Sequence, residues 1–150
     1  MKVSDLMAKT PITVSPDAPL RRANQLLHRY HLHAIIVVDD EEKVVGLLTY
    51  ADLFQKLLPS YDEIMQDQSY WLNFESIEER SRELMPLPVS EVMKTGIKTV
   101  SPHVAAVEAG ALMNAHHVRQ LPVTDNGKLV GVISYEDITW GILMKTCDSL

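Results

Sequence analysis

Residues 3–16 read VSDLMAKTPITVSP and residues 89–102 read VSEVMKTGIKTVSP, and this internal repeat limits the available folds more than any other feature. Val3, Met7, Thr13, Val14, Ser15 and Pro16 recur 86 positions later as Val89, Met93, Thr99, Val100, Ser101 and Pro102. The register holds through Ala23/Ala109, Leu26/Leu112, His31/His117, Val37/Val123 and Asp39/Asp125. One residue is then lost between Asp40-Glu41-Glu42-Lys43 and Asn126-Gly127-Lys128, after which Gly46-Leu47-Leu48-Thr49-Tyr50-Ala51-Asp52 matches Gly131-Val132-Ile133-Ser134-Tyr135-Glu136-Asp137. The chain thus divides into a repeat at 1–53, an unduplicated segment at 54–88 and a second repeat at 89–150 that carries a C-terminal helix.

Apolar spacing gives each repeat a coarse structure. Leu20, Ala23, Leu26, Leu27 and Tyr30 share one helix face, as do Ala106, Ala109, Leu112, Met113 and His116, and Asp17 before Pro19 is the expected N-cap. Ile35-Ile36-Val37-Val38, an acidic turn and Val44 to Leu48 read as a strand hairpin. Leu121 to Val123, Asn126-Gly127 and Leu129 to Ile133 repeat it, with Asn-Gly as the tight turn. Short strands at Thr13-Val14 and Thr99-Val100, and helices after Thr49 and Ser134, make each repeat β-α-β-β-α, with a small helix in front. The fold class is mixed α/β (α+β). Neither repeat can cover a short sheet by itself, so the two are expected to pack about a pseudo-twofold axis with duplicated clefts between them.

The middle segment reads as a helical hairpin. Leu57, Leu58, Tyr61, Ile64 and Met65 form a stripe, Ser60 with Glu63 a capping box, and Ser76 with Glu79 a second helix start ending before Pro86. Trp71, Leu72 and Phe74 at its bend suggest packing on the core or on a second subunit.

Composition narrows the function. Fourteen Lys and Arg against 20 Asp and Glu give a net charge of −6, which offers no attractive field to nucleic acid or to anionic lipid. Cys147 is the only cysteine, excluding a disulfide framework or a thiolate zinc site. No stretch reaches the roughly 20 apolar residues of a membrane span, and MKVSDLMAKT lacks a signal-peptide core, so a cytoplasmic setting is expected.

The pattern closest to chemistry is Gly-apolar-apolar-Ser/Thr-x-x-Asp, present at Gly46–Asp52 and Gly131–Asp137. Ser/Thr-x-x-Asp is also a helix start, with Thr49 or Ser134 as N-cap and Asp52 or Asp137 complementing the helix dipole. The two readings are compatible, because a helix N-terminus attracts phosphate and a first-turn Asp can accept from ribose hydroxyls.

On the paired TVSP segments, the strands at 34–39 and 120–125 and the two Gly-to-Asp ends, the chain resembles a tandem pair of cystathionine beta-synthase (CBS) domains, a Bateman module. The resemblance implies a regulatory, non-catalytic module that binds adenosyl ligands such as AMP, ADP, ATP, S-adenosylmethionine or dinucleotides, magnesium being a candidate companion of the phosphates. It implies Asp137 for ribose, Ser134 for phosphate, and Ile97, Lys98, Val118 and Pro122 around the base, with Thr99 at the strand start. In the first repeat the corresponding residues are Asp52, Thr49, Ile12, Leu32 and Ile36, with Thr13. The basic phosphate position is His33 in one copy and Arg119 in the other, and a permanently charged, forked Arg differs from a partly protonated His. Arg119 could equally be a surface residue paired with an acid. The family resemblance further implies a homodimer and an unidentified protein partner.

Competing signals are weaker. His28, His31, His33, His116 and His117 lack the spacing and companions of a metal set, and His31/His117 read as structural equivalents. Cys147 has no His and acid at a catalytic spacing, and no Gly-rich loop or Walker lysine supports nucleotide hydrolysis. The serious alternative is a ligand-free interaction scaffold working through Trp71, Phe74, the methionines and the apolar Trp140–Met144 helix.

Overall fold

The computed structural model describes residues 1–67 and 74–147. They fall into two compact units, neither a continuous stretch of sequence: 12–39 with 45–96, and 1–11 with 40–44 and 97–150.

In the unit built on 12–39 and 45–96, β1 (Thr13–Val14) runs parallel to β2 (Ala34–Val38), with Thr13 opposite Ile36 and Val14 opposite Val37. The sheet order is β1-β2-β3, where β3 is Val44–Thr49. α2 (Leu20–Arg29) buries Leu20, Ala23, Leu26 and Leu27 against Ile35, Val37 and Leu48, as its periodicity predicts, while Tyr30 just past its end stays exposed. The expected cap at Asp17 is not used. Pro19 holds the N-cap position without a side-chain bond, and the first helical N–H groups go to backbone carbonyls: Leu20 to Leu87 at 2.8 Å and Arg21 to Met85 at 3.0 Å. A carbonyl satisfies an orphan donor as well as an Asp would, so no capping side chain is needed.

α3 (Tyr50–Leu57) ends where Pro59 forces Leu58 into an extended conformation, which splits the expected stripe between two helices. α4 (Tyr61–Gln66) opens with the expected capping box, Ser60 N–H donating to Glu63 at 2.7 Å and Glu63 N–H to Ser60 Oγ at 3.2 Å. It buries nothing, and Tyr61 and Met65 face solvent. In α5 (Phe74–Leu84) the expected start, Ser76, already lies inside the helix, which delivers Leu84 to the core. Trp71, Leu72 and the Phe74 side chain lie outside the described residues.

The second unit contains α1 (Val3–Leu6), α6 (Ala106–His116), the hairpin of β4 (Gln120–Asp125) and β5 (Lys128–Ser134), and α7 (Tyr135–Cys147). Asn126 and Gly127 both have positive φ, 50° and 80°, the backbone a two-residue hairpin requires. The strand expected at Thr99-Val100 is a single parallel bridge from Val100 to Val123. Val3, Ala106, Ala109, Met113, Leu121, Val123, Ile133 and Ile138 form the core.

The front pieces have changed places. Val3 N–H bonds the Val104 carbonyl and Ala8 pairs with Val132, so the front of the first repeat completes the second body. Val89 N–H bonds the Ala18 carbonyl and Lys94 pairs with Leu47, so the front of the second repeat completes the first body. Even the helix starts follow this exchange: Leu87 accepts from Leu20, and Met1, its equivalent 86 residues earlier, accepts from Ala106 at 3.0 Å. His31 and His117 occupy equivalent left-handed positions, φ 53° and 54°, at the exits of α2 and α6, a conformation that His tolerates better than most residues.

Candidate functional site

At the end of β3 the backbone turns directly into α3 on a reciprocal cap. Thr49 N–H and Thr49 Oγ1–H both donate to Asp52 Oδ2, at 2.9 and 2.8 Å, and Asp52 N–H donates back to Oγ1 at 3.1 Å. The end of β5 reproduces this: Ser134 N–H and Oγ–H donate to Asp137 Oδ2, each at 2.8 Å, and Asp137 N–H donates to Ser134 Oγ at 3.1 Å. The capping reading of the motif is therefore realised in both copies.

The same geometry decides what remains for a ligand. Both cap bonds to each aspartate converge on Oδ2, leaving Oδ1 as the acceptor that can meet a hydroxyl pair. The Thr49 and Ser134 hydroxyls have spent their single proton on the aspartate, so either could donate to a phosphate only by rotating away from its cap. Anion contacts must otherwise come from helix N–H groups and basic side chains.

The remaining candidates of each repeat gather within the unit that holds its aspartate. In one, Thr13 lies beside Ile36 in the sheet, Ile12 and Leu32 pack at the core edge, and the His33 carbonyl accepts from Tyr50 N–H at 3.3 Å, fixing His33 at the start of α3. Leu32, His33 and Tyr50 line a cavity of about 340 Å³ together with Leu27, His28 and His31. In the other, the Pro122 carbonyl accepts from Val100 N–H at 3.1 Å, Val118 packs on the core, and the Arg119 carbonyl accepts from Tyr135 N–H at 3.2 Å. Arg119 is thus tied to the residue next to Ser134. Ile36 and Pro122 are buried, Ile97 is half-buried, and Lys98, Thr99 and Arg119 are exposed. Among the described residues no acid lies within ion-pair distance of Arg119 or Lys98.

Two features escape a motif search. Asp52 is 7% exposed and its Oδ1 lies 3.3 Å from Lys94 Nζ. The signal for it was available in the repeat alignment, where Lys94 stands opposite Ala8. The other is an apolar groove of about 430 Å³ walled by Asn24 of α2, Phe54 and Leu57 of α3, Ser81 of α5 and Met85 just past its end. Among the described residues no three His, Cys, Asp or Glu side chains form a metal-binding group, and no helix is long and apolar enough to cross a membrane.

Comparison with known proteins follows the same lines. The CBS domain family matches at residues 3–59 and 89–143. Inosine-5'-monophosphate dehydrogenase of Methanocaldococcus jannaschii is 28% identical over 91% of the chain, which spans 23% of that enzyme. The CBS domain-containing protein YhcV of Bacillus subtilis is 29% identical over 91% of this chain and 81% of its own length. Among solved structures, an AcuB protein from Vibrio cholerae superposes with a TM-score of 0.76 at 25% identity, covering 99% of this chain and 96% of that one. CBSX2 in complex with AMP superposes at 0.74 with 22% identity, covering 97% and 98%. The CBS domain pair of MJ0100, in complex with 5'-methylthioadenosine and S-adenosylmethionine, superposes at 0.72 with 20% identity, covering 97% and 98%.

Proposed function

Because the chain belongs to the CBS domain family, matched over both repeats, we propose that it is a non-catalytic regulatory module whose ligand is an adenine nucleotide or S-adenosylmethionine. The observation that carries this reading is the pair of strand-end aspartates, each clamped through Oδ2 with Oδ1 left as an acceptor. A ribose diol matches such an acceptor. The relatives in complex with AMP, methylthioadenosine and S-adenosylmethionine support the choice of ligand class.

In the second repeat Asp137 takes the ribose, Arg119 faces the phosphates, and Ile97, Lys98, Thr99, Val118 and Pro122 border the base. In the first, Asp52 takes the ribose with Ile12, Thr13, Leu32 and Ile36 around the base and His33 toward the phosphates. Ser134 and Thr49 act first as the clamps that orient their aspartates. A permanently charged arginine at 119 against a histidine at 33 makes the Asp137 site the preferred place for a phosphorylated ligand, ATP included. Magnesium would accompany the phosphates rather than any protein cluster. Ligand binding reports to a partner protein by shifting the populations of the module's conformations, and the shift cannot exceed the difference in ligand affinity between them.

Assembly belongs to the same proposal. Trp140, Leu143 and Met144 lie at helical spacing on α7 and are 64%, 59% and 43% exposed, and Val107 on α6 is 69% exposed. Such a patch suits a homodimer in the cytoplasm, and it is also the observation that favours the scaffold reading. A thermal-shift panel with AMP, ADP, ATP, S-adenosylmethionine, NAD and GTP, with and without magnesium and followed by calorimetry, separates the two. Ligand at about 100 times its dissociation constant adds on the order of 2.7 kcal/mol. A selective adenine shift that disappears in Asp137→Ala supports the sensor. A flat panel on nucleotide-free protein overturns it in favour of the scaffold.

A further inference from the structure

We propose that Lys94 is an internal competitor for ligand at Asp52, so that the two aspartate sites of this chain are unequal and the Asp137 site fills first. The inference rests on the nucleoside-binding reading above and adds to it a residue that regulates one site alone.

The repeat supplies its own control. Residues 94 and 8 are equivalent, and the backbone places them identically: Lys94 exchanges two bonds with Leu47 at 3.0 and 2.9 Å, and Ala8 exchanges two with Val132 at 2.9 and 3.0 Å. Both segments run so close to the strand they pair with that a Cβ built on Gly46 or Gly131 meets the carbonyl oxygen of Lys94 or Ala8 at 2.9 or 2.8 Å. The two caps also match bond for bond. The difference that bears on the spare carboxylate oxygen is the side chain at this position. Lys94 carries an ammonium to 3.3 Å from Asp52 Oδ1, the oxygen the cap leaves over, whereas Ala8 has nothing to offer Asp137. Among the described residues no basic group pairs with Asp137, and that carboxylate is half-buried where Asp52 is 7% exposed.

A nucleoside entering the Asp52 site must therefore displace an ammonium before its diol can bond Oδ1. The lysine is itself 64% exposed, so the ion pair is partly screened and the competition amounts to about two- to fivefold in affinity. Adenosine is the right probe because it has a ribose but no phosphate for Lys94 to attract.

The experiment titrates adenosine into isotopically labelled full-length protein by NMR, with the amides of residues 50–53 and 135–138 reporting the two sites separately. Wild type should bind more tightly at the Asp137 site. Lys94→Met should tighten the Asp52 site about two- to fivefold without changing the other, and Ala8→Lys should weaken the Asp137 site by a similar factor. High salt should narrow the gap in wild type and leave Lys94→Met unaffected. Unchanged or weaker binding at the Asp52 site in Lys94→Met overturns the competitor role while the nucleoside reading stands. Absence of adenosine binding at either site in all three proteins overturns both.

Discussion

The exchange of front segments can be tested at one glycine. A Cβ on Gly131 lies 2.8 Å from the Ala8 carbonyl oxygen and 2.8 Å from Met7 Sδ. The sulfur can move, but the carbonyl is held by the Ala8–Val132 bond pair. In Gly131→Ala the front strand must back away. Two backbone bonds at about 1 kcal/mol each, with a further overpacking cost of about 1 kcal/mol, give a loss of about 3 kcal/mol. For a chain of this length that is a fall in Tm of about 6–12 °C. Gly127→Ala is the control: its φ is +80° but nothing lies within 4 Å, so only backbone strain of about 1 kcal/mol is expected. Calorimetry measures the totals and amide hydrogen exchange shows where the damage falls. Ala8 and Val132 should lose about a hundredfold in protection while Lys94 and Leu47 keep theirs. If Lys94 loses protection in Gly131→Ala and Ala8 does not, each front piece packs on its own repeat and the exchanged arrangement is wrong.

Ser134→Ala removes the α7 cap and should cost about 1 kcal/mol in denaturant melts; a denaturation midpoint equal to wild type would contradict the capping geometry. Arg119→Ala should weaken AMP more than adenosine by calorimetry, and equal losses for the two ligands would remove Arg119 from the phosphates. Trp140→Ser with Leu143→Glu should give monomers in sedimentation experiments and a Tm that no longer rises with protein concentration, since both side chains are exposed and only the contact between copies is lost; an unchanged oligomer would place the contact elsewhere. The Ser60 backbone and side-chain bonds hold the Glu63 carboxyl below the usual glutamate range. A depressed folded value means this cap is intact above the ordinary glutamate pKa and is lost as pH falls through the lowered one. Carboxyl NMR titration should show Glu63 rising only part of the way toward the usual range in Ser60→Ala, because the Ser60 backbone N–H still donates to it, and a fall on this substitution would refute the side-chain contribution.

The repeat, the hairpins and the buried faces of α2 and α6 were legible because each rests on local periodicity or turn chemistry. Asn126-Gly127 can hardly be anything but a tight turn, and Ser/Thr-x-x-Asp states its cap in four residues. The exchange was not legible, for a reason intrinsic to duplication: Val3 and Val89 carry nearly the same surroundings, so each front piece fits either body. Asp17 failed as a cap because a carbonyl from a distant segment took its place, a long-range competitor that no local pattern records. The candidate residues of each repeat share one unit with its aspartate, yet motif matching passes over Lys94 because it reads what the copies share, and Lys94 lies where they differ.

The crossed front segments also impose an order on folding. Val3 waits for Val104, roughly 100 residues further along, and the body around α2 waits for the carbonyls of Met85 and Leu87. At the usual pace of translation the first strand of contacts stays open for about 5–20 s after its residues are made. Neither body can close on the ribosome before the insertion helices have been synthesised, and a chain cut within the insertion would yield two fragments that each carry the other's missing piece. Stability in this protein is therefore assembled by late, distant closures, which makes its folding rate sensitive to the length of 54–88 even where that segment touches nothing in the core.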